Sequence, residues 1–438
     1  MTEAERLIIK SFNDSFNAEE KARQANIQKL INYYNGDQIQ YLKQYLKLKN
    51  LDDFPYYASN ITKRIIRKLA EVYKEAPKRL INGKQNDKYN ELIENKNRKL
   101  KTIERQARLL GLLGVRPVVI NNKFDYVLLR QFQAYFKDEE KPYAIKYLIQ
   151  KTDDEQYYEY WDTENHFVLN SNNVKVNIKK FGFKDEKNEY GIIPFVWCHS
   201  EEIIDDWYNT GGSADDLINA NEQINLTLSE LAHKYRYTAF NPPYFIGTTN
   251  VDDFKWGYNQ IMHITDTEGQ IGVLNLNYDF RKDIEWIKFQ IQSIERNNGL
   301  NINWGISGNT SGFSLVIQNI DHKDDLVNMI DICRGWENDL FEMEQIIGKV
   351  HGVKVPAGQL SIDYAEVKAP LSIQEQNAKW TFEFQNQLSS REDYWREQNP
   401  DISDEEIQER LAKITTEAKT VKELTRTEPT IGELFNAE

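Results

Sequence analysis

Histidines, cysteines and paired carboxylates are the residues of this chain that could do chemistry, by holding a metal ion, activating water or supplying a nucleophile. His166, His199, His233, His263, His322 and His351 show neither His-x-x-x-His nor His-Glu-x-x-His spacing, so no helix face presents two imidazoles to one metal. Cys198 and Cys333 are far apart and form no Cys-x-x-Cys pair, which signals neither a disulfide framework nor a zinc site and fits a reducing compartment. Cys198 precedes His199 directly, but strand neighbours point to opposite faces, which argues against a thiolate and imidazole pair. Asp205-Asp206, Asp215-Asp216, Asp252-Asp253 and Asp324-Asp325 could hold Mg²⁺ in a nuclease, yet they sit in exposed polar contexts with no shared strand framework. Gly305, Gly308 and Gly312 form a run without the Lys-Ser/Thr of a phosphate loop, so their role is backbone freedom in a loop. These residues predict no catalytic centre, no metal site and no cofactor.

The elements that would position them centre on Ser213 to Gly348. Leu217, Ala220, Ile224, Leu228, Leu231 and Tyr235 recur at spacings of three and four, as one stripe of a helix requires. Phe280, Ile284, Ile287, Ile291 and Ile294 do the same in a second helix. Between them Asn241-Pro242-Pro243 cannot continue a helix, and Tyr244 to Ile246 and Ile271 to Leu276 read as short strands, so a small lobe rides on a helical hairpin. A glycine-broken loop follows, and a third long helix begins at Ser311-Gly312.

On the N-terminal side, a helical pattern runs to about Tyr45 with a stop at Asn35-Gly36. A second helix is expected from Asn60 to about Lys74, closed by Pro77. Its outer face, Lys63, Arg64, Arg67 and Lys68, suits either phosphate contact or a solvated or intersubunit surface. Asp87 to Leu113 reads as helix. Short runs then follow at 117–120, 126–129, 144–149, 157–161 and 166–169, predicting an antiparallel sheet or small barrel. Pro194 makes Tyr190 to Trp197 an edge or terminal strand. Past the third helix, Val353 to Val367 reads as one strand or two, closed by Pro370. Ser372 to Leu388, Ser390 to Gln398 and Ser403 to Thr420 read as helices, the last opened by a Ser403 to Glu406 capping box, and Val421 to Glu438 as a loosely held tail.

At 438 residues the chain is long enough for several domains, and 40% apolar with 12% aromatic residues excludes a disordered chain. A net charge of −13 lacks the basic footprint of a protein that wraps nucleic acid. Glu3 and Glu5 with no apolar run predict no leader at Met1 to Lys10, and no apolar stretch approaches the ~20 residues that span a bilayer, so a soluble protein is expected.

In the order of these features the chain resembles the portal proteins of tailed bacteriophages over essentially its whole length. The resemblance is carried by Tyr33-Tyr34-x-Gly36-x-Gln38, by Asn60-Ile61-x-Lys63 through Tyr73 to Pro77, and by the β-region closing at Tyr190-Gly191-Ile192-Ile193-Pro194-Phe195. It continues through Asp215-Asp216-Leu217-Ile218-Asn219-Ala220 with Asn225 and Ser229, Phe245-Ile246-Gly247, and Asn309-Thr310-Ser311-Gly312-Phe313-Ser314-Leu315. Leu388-Ser389-Ser390-Arg391-Glu392 and Asn399-Pro400-Asp401-Ile402-Ser403-Asp404 complete it.

That resemblance implies an α+β, mostly helical fold with an antiparallel β wing region, long stem helices, a small α/β clip and a helical crown. The implied divisions are wing 1–212, first stem helix 213–238, clip 239–279, second stem helix 280–298, tunnel loop 299–313, long wing helix and wing strand 314–371, and crown with tail 372–438. It further implies a non-enzymatic homo-oligomeric ring, a dodecamer, at one capsid vertex of the virion, assembled in the host cytoplasm. Double-stranded DNA would pass through the ring. The large terminase subunit, a head-completion adaptor, and the major capsid and scaffolding proteins would be its partners, with no membrane involved. A ring that passes DNA of any sequence must avoid base readout and tight phosphate grip, which suits an acidic chain.

On this reading Asn301, Asn303, Trp304, Ile306 and Asn309 face the DNA from the tunnel loop, with Trp304 alternatively packed into the ring wall. Asp252, Asp253, Lys255 and Trp256 form the clip surface that meets partners, with a core role as the alternative for Trp256. Ile284, Ile287, Ile291 and Ile294 pack the stem against neighbouring helices. The competing readings are another virion structural or connector protein, and a metal-dependent DNA-processing enzyme.

Overall fold

A computed structural model describes residues 18–45, 56–137, 141–151, 155–183, 186–203, 206–208, 210–239, 243–246, 270–273, 278–300, 320–364, 373–399 and 402–426. The chain divides into two compact units, the first built from Met1–Asn303 and Asn319–Val367, the second from Trp304–Gln318 and Lys368–Glu438. Helices and antiparallel sheets make it an α+β protein.

The first unit opens with α1 (Ala18–Asn35) and α2 (Ile39–Tyr45), separated at Gly36, whose φ of 101° an L side chain would resist. Next comes α3 (Ile61–Leu69), capped by Asn60, which accepts from the Lys63 amide. It ends well before Lys74, where the apolar pattern alone placed its end. The Val72 and Tyr73 amides, which a continuing helix would have donated to its own carbonyls, donate instead to the buried Glu104 carboxylate at 3.0 and 3.4 Å. The strands β1 (Lys78–Ile81) and β2 (Lys84–Gln85) follow, and β1 pairs with β13 (Leu360–Asp363), far along the chain.

The single helix expected over Asp87 to Leu113 is instead α4 (Asp87–Leu92) and α5 (Lys96–Leu110), and Leu112 already belongs to a strand. Nor is the β-region one sheet. Strands β3 (Leu112–Ile120), β4 (Lys123–Leu129) and β10 (Val196–His199) form one sheet in the order β10-β3-β4. A second runs β5-β6-β7-β8-β9, from β5 (Gln133–Phe136), β6 (Pro142–Lys151), β7 (Gln156–Asp162), β8 (His166–Asn170) and β9 (Lys175–Val176). The expected edge strand is β10, which begins two residues beyond Pro194. There Cys198 is fully buried while His199 turns the other way and bonds the Trp207 carbonyl at 2.9 Å.

Strand alternation explains why two sheets are needed. Leu113 and Val115 on one face of β3 join the main core, whereas Leu112 on the other joins Phe132, Ile145, Trp161 and Trp207 in a separate aromatic core. The opposite face of the larger sheet holds Tyr160 stacked on Phe167 with ring centroids 4.4 Å apart.

The helices α6 (Asp215–Ala239) and α7 (Phe280–Asn297) flank a two-stranded lobe, β11 (Pro243–Ile246) paired antiparallel with β12 (Gln270–Val273). The long α8 (Ile320–His351) then buries Met329, Cys333, Trp336, Leu340 and Ile347 in the main core.

In the second unit lie α9 (Ile373–Gln385), α10 (Arg391–Gln398) and α11 (Asp404–Arg426). Trp380 is buried edge-on to Tyr394 at 5.0 Å. The reciprocal capping box sits at Ser390 and Asp393, an Asp performing the task assigned to Glu in the expected box. At Ser403 the Glu406 amide donates to the Ser403 hydroxyl at 3.3 Å. Helix α11 continues to Arg426, so the expected tail begins later than Val421. Among the described residues no helix is long and apolar enough to cross a membrane.

Candidate functional site

The α6–α7 hairpin is the part of the first unit whose geometry calls for explanation. The two helices run antiparallel. Tyr235 near the end of α6 meets Phe280 at the start of α7 with centroids 5.7 Å apart, and Leu217 and Ala220 line a cavity shared with Ile294 and Asn297 at the other end. The lobe end is held by Lys234, 3.1 Å from the Tyr278 hydroxyl and 3.5 Å from Asp283.

Two kinds of residue fix α6 in place. Its apolar stripe buries Leu217 and Ile224, half-buries Ala220, Leu228 and Leu231, and leaves Tyr235 exposed. The stronger signature is polar: Asn221, Asn225 and Ser229 lie four residues apart on one face, all fully buried. Asn221 accepts from the Thr62 amide at 3.1 Å and hydroxyl at 2.9 Å, and donates to the Ser59 carbonyl at 2.9 Å. Asn225 accepts from the Ser59 amide at 2.8 Å and donates to Gln38 at 2.6 Å. Ser229 accepts from the Tyr57 amide at 2.9 Å. Beside them Glu222 takes the Tyr33 hydroxyl at 2.6 Å and Lys29 at 3.2 Å. Buried polar groups must be paired, and these pair with backbone that no regular element satisfies, so residues 57–62 are laced to α6 like a missing turn. The signal available in the sequence was Asn, Asn and Ser at i, i+4 and i+8, which an apolar count passes over.

The sequence-derived stem stripe divides. Ile287 and Ile294 are buried and Ile291 half-buried against the core, but Ile284 is 44% exposed. At 100° per residue Ile284 lies within about 20° of Ile291 on the helix cylinder, so it shares the stripe and differs in standing near the lobe end of α7. On the outer side Trp286 and Phe289 are exposed and stacked on each other at 5.6 Å.

Helix α7 ends in a Schellman closure. Gly299 at φ 61° donates to the Arg296 carbonyl at 3.1 Å, Leu300 donates to the Glu295 carbonyl at 2.8 Å, and the Leu300 side chain is buried. The chain therefore leaves the hairpin from a fixed point. Beside it lies a cavity of about 240 Å³, lined by Ile66, Leu69, Arg108, Ser200, Glu201, Ser213, Asp216, Leu217, Asn297 and Asn298 among others. Arg108 reaches from there to Asp325 on α8 at 3.2 Å.

Helix α8 is held by buried charges. Glu344 accepts from Lys96 at 2.8 Å, Tyr126 at 2.6 Å and Tyr89 at 2.8 Å. Two turns away in the same stripe, Glu337 pairs with Arg79 at 2.5 Å. Burial, then the Glu344 charge, pushes both phenols up. Glu104 is the carboxyl that burial displaces most usefully, up to about 7, against the pull of the Val72 amide and Arg108.

Among the described residues the groups singled out for chemistry do not assemble. His166 bonds Glu159 at 2.8 Å and stacks on Trp161, while His351 bonds Tyr190 at 3.0 Å. Asp206 caps a turn at Thr210, Asp215 binds Asn26 at 2.8 Å, and Asp325 holds Arg108. Burial pushes the Cys198 and Cys333 thiols up, away from thiolate character. Among the described residues no three His, Cys, Asp or Glu side chains could share a metal ion. The tunnel-loop set Asn301, Asn303, Trp304, Ile306 and Asn309 and the clip set Asp252, Asp253, Lys255 and Trp256 lie outside the described residues.

No family model matches this chain, and no curated protein matches it. Among solved structures it is similar to a chain from the virion of a native gene transfer agent particle. The identity is 10% and the TM-score 0.45, covering 81% of this chain and 91% of that one.

Proposed function

We propose that this chain is the subunit of a portal-type ring at one vertex of a tailed-phage capsid, a structural channel for double-stranded DNA rather than an enzyme. The observation that carries this reading is the α6–α7 hairpin. It bears a small two-stranded lobe at one end and, at the other, releases the chain through a fixed Schellman closure into the segment that returns as α8. A channel wall needs a rigid stave, a docking tip and a loop anchored at both ends. The polar ladder of Asn221, Asn225 and Ser229, the Leu300 anchor and the Arg108 to Asp325 pair supply the rigid attachments.

In this reading the lobe, with Asp252, Asp253, Lys255 and Trp256, meets the large terminase subunit during packaging and a head-completion adaptor afterwards. Asn301, Asn303, Trp304, Ile306 and Asn309 border the DNA path. Twelve copies, as the resemblance implies, would close the ring, with capsid and scaffolding proteins around it. Electron microscopy of the purified full chain tests the proposal: closed rings with a central channel are expected, and a folded protein that stays monomeric or forms open filaments would overturn it.

A further inference from the structure

Helix α3 carries four cations and no carboxylate in Ile61–Leu69, on a chain whose net charge is −13. Burial of Ile61, Thr62, Ile65, Ile66 and Leu69 fixes its orientation, leaving Arg64 and Arg67 exposed with Lys63 and Lys68 at their flanks. The exposed stripe of α8 has the opposite character. Asp324, Asp331, Asp339 and Glu342 stand on it, and among these Asp331 pairs with Arg334 on its own helix. In the middle of that stripe is Gly335, exposed and with nothing within 4 Å of where a Cβ would stand. A glycine in an exposed helix interior costs about 1 kcal/mol relative to alanine. Among the described residues no contact explains it, whereas the close approach of a second helix would.

We infer that the α8 stripe around Gly335 is the seat for the α3 cations of a second copy of this chain, giving a head-to-tail contact that repeats round the ring. The inference rests on the ring reading above and names the surfaces that build it. A heterologous ring needs two different, complementary patches on one chain, and these two faces meet that need. Their sizes are comparable: the nine residues of α3 span about 13 Å, and the twelve from Asp331 to Glu342 about 18 Å. Duplex DNA would satisfy α3 but would leave the acidic stripe and its glycine unexplained.

The test measures assembly of the full chain by sedimentation velocity and electron microscopy, with circular dichroism to verify folding. The double variants Arg64→Glu/Arg67→Glu and Asp339→Lys/Glu342→Lys should each raise the concentration for half-assembly at least about tenfold, and the four substitutions together should restore it. Gly335→Ala should raise the melting temperature of the unassembled subunit yet weaken assembly. Rings that form equally well from the wild type and from both double variants would overturn the inference while leaving the portal reading intact. So would a folded four-residue variant that fails to recover, or double variants that keep the ring but lose duplex DNA. A folded wild type that makes no ring would overturn both.

Discussion

Lys96 Nζ lies 2.8 Å from Glu344 Oε1 with both side chains wholly buried, and the Tyr89 and Tyr126 hydroxyls complete the carboxylate's shell. Removing the cation strands a buried charge. Lys96→Met is expected to cost about 3–5 kcal/mol. Tyr126→Phe, which deletes one donor to a charged acceptor, should cost about 1.5–3 kcal/mol. Urea denaturation of both variants measures this, and a Lys96→Met cost under about 1 kcal/mol would show that the carboxylate is not held as a charge.

Glu104 gives the fold a pH dependence of predictable sign. Burial raises its folded pKa to about 7, above the roughly 4.3 of an unfolded glutamate, so the protonated form is favoured in the folded state. Its contribution is fully present below about pH 4.3 and is lost as pH rises towards 7, in total roughly 4 kcal/mol. Glu104→Gln keeps an acceptor for the Val72 amide and removes the ionisation, so it should flatten stability between about pH 4.3 and 7 and stabilise the protein above that window. Thermal melts across that range decide it, and an unchanged slope in the variant would assign the dependence elsewhere.

The polar ladder on α6 should behave as structure, although its residues are of types common on surfaces. Asn225→Ala leaves the Ser59 amide and Gln38 without their partner and is expected to cost about 1–3 kcal/mol. Gln223→Ala on the exposed side of the same helix should change stability by no more than about 0.5 kcal/mol. Equal effects in chemical denaturation would argue against the ladder.

The loop assignment is tested in infection. Replacing Asn301, Asn303 and Trp304 together by alanine is expected to lower the retention of packaged DNA while leaving ring formation intact. Because the set is uncharged, the contact proposed for it with DNA should change little with salt, unlike one that neutralises phosphates. Packaging, retention and ejection all unaltered in the triple variant would remove these residues from the DNA path.

Much of the framework was legible one residue at a time. Periodicities of three to four and of two, with stops at Gly36 and Pro194, located the hairpin, its lobe and most strands of the β-region, because helices and strands repeat their buried faces locally. The same periodicity put Ile284 in one stripe with Ile287, Ile291 and Ile294, of which Ile287 and Ile294 are buried, Ile291 half-buried and Ile284 exposed.

What needed the tertiary structure was every pairing between distant segments. Glu337 and Glu344 look like solvent residues on a long helix, and only Arg79 and Lys96, 258 and 248 residues away, make them interior. Past the end of α3, Glu104 takes the Val72 and Tyr73 amides, a pairing that no pattern within Asn60 to Lys74 reveals. The division of the β-region into two sheets turned on which face of β3 met the helices. Sequence determined which residues want burial and in which local repeat; the fold alone decided which buried charges and backbone groups would find each other, since the cost of an unpaired polar group is set by neighbours that only chain folding brings near.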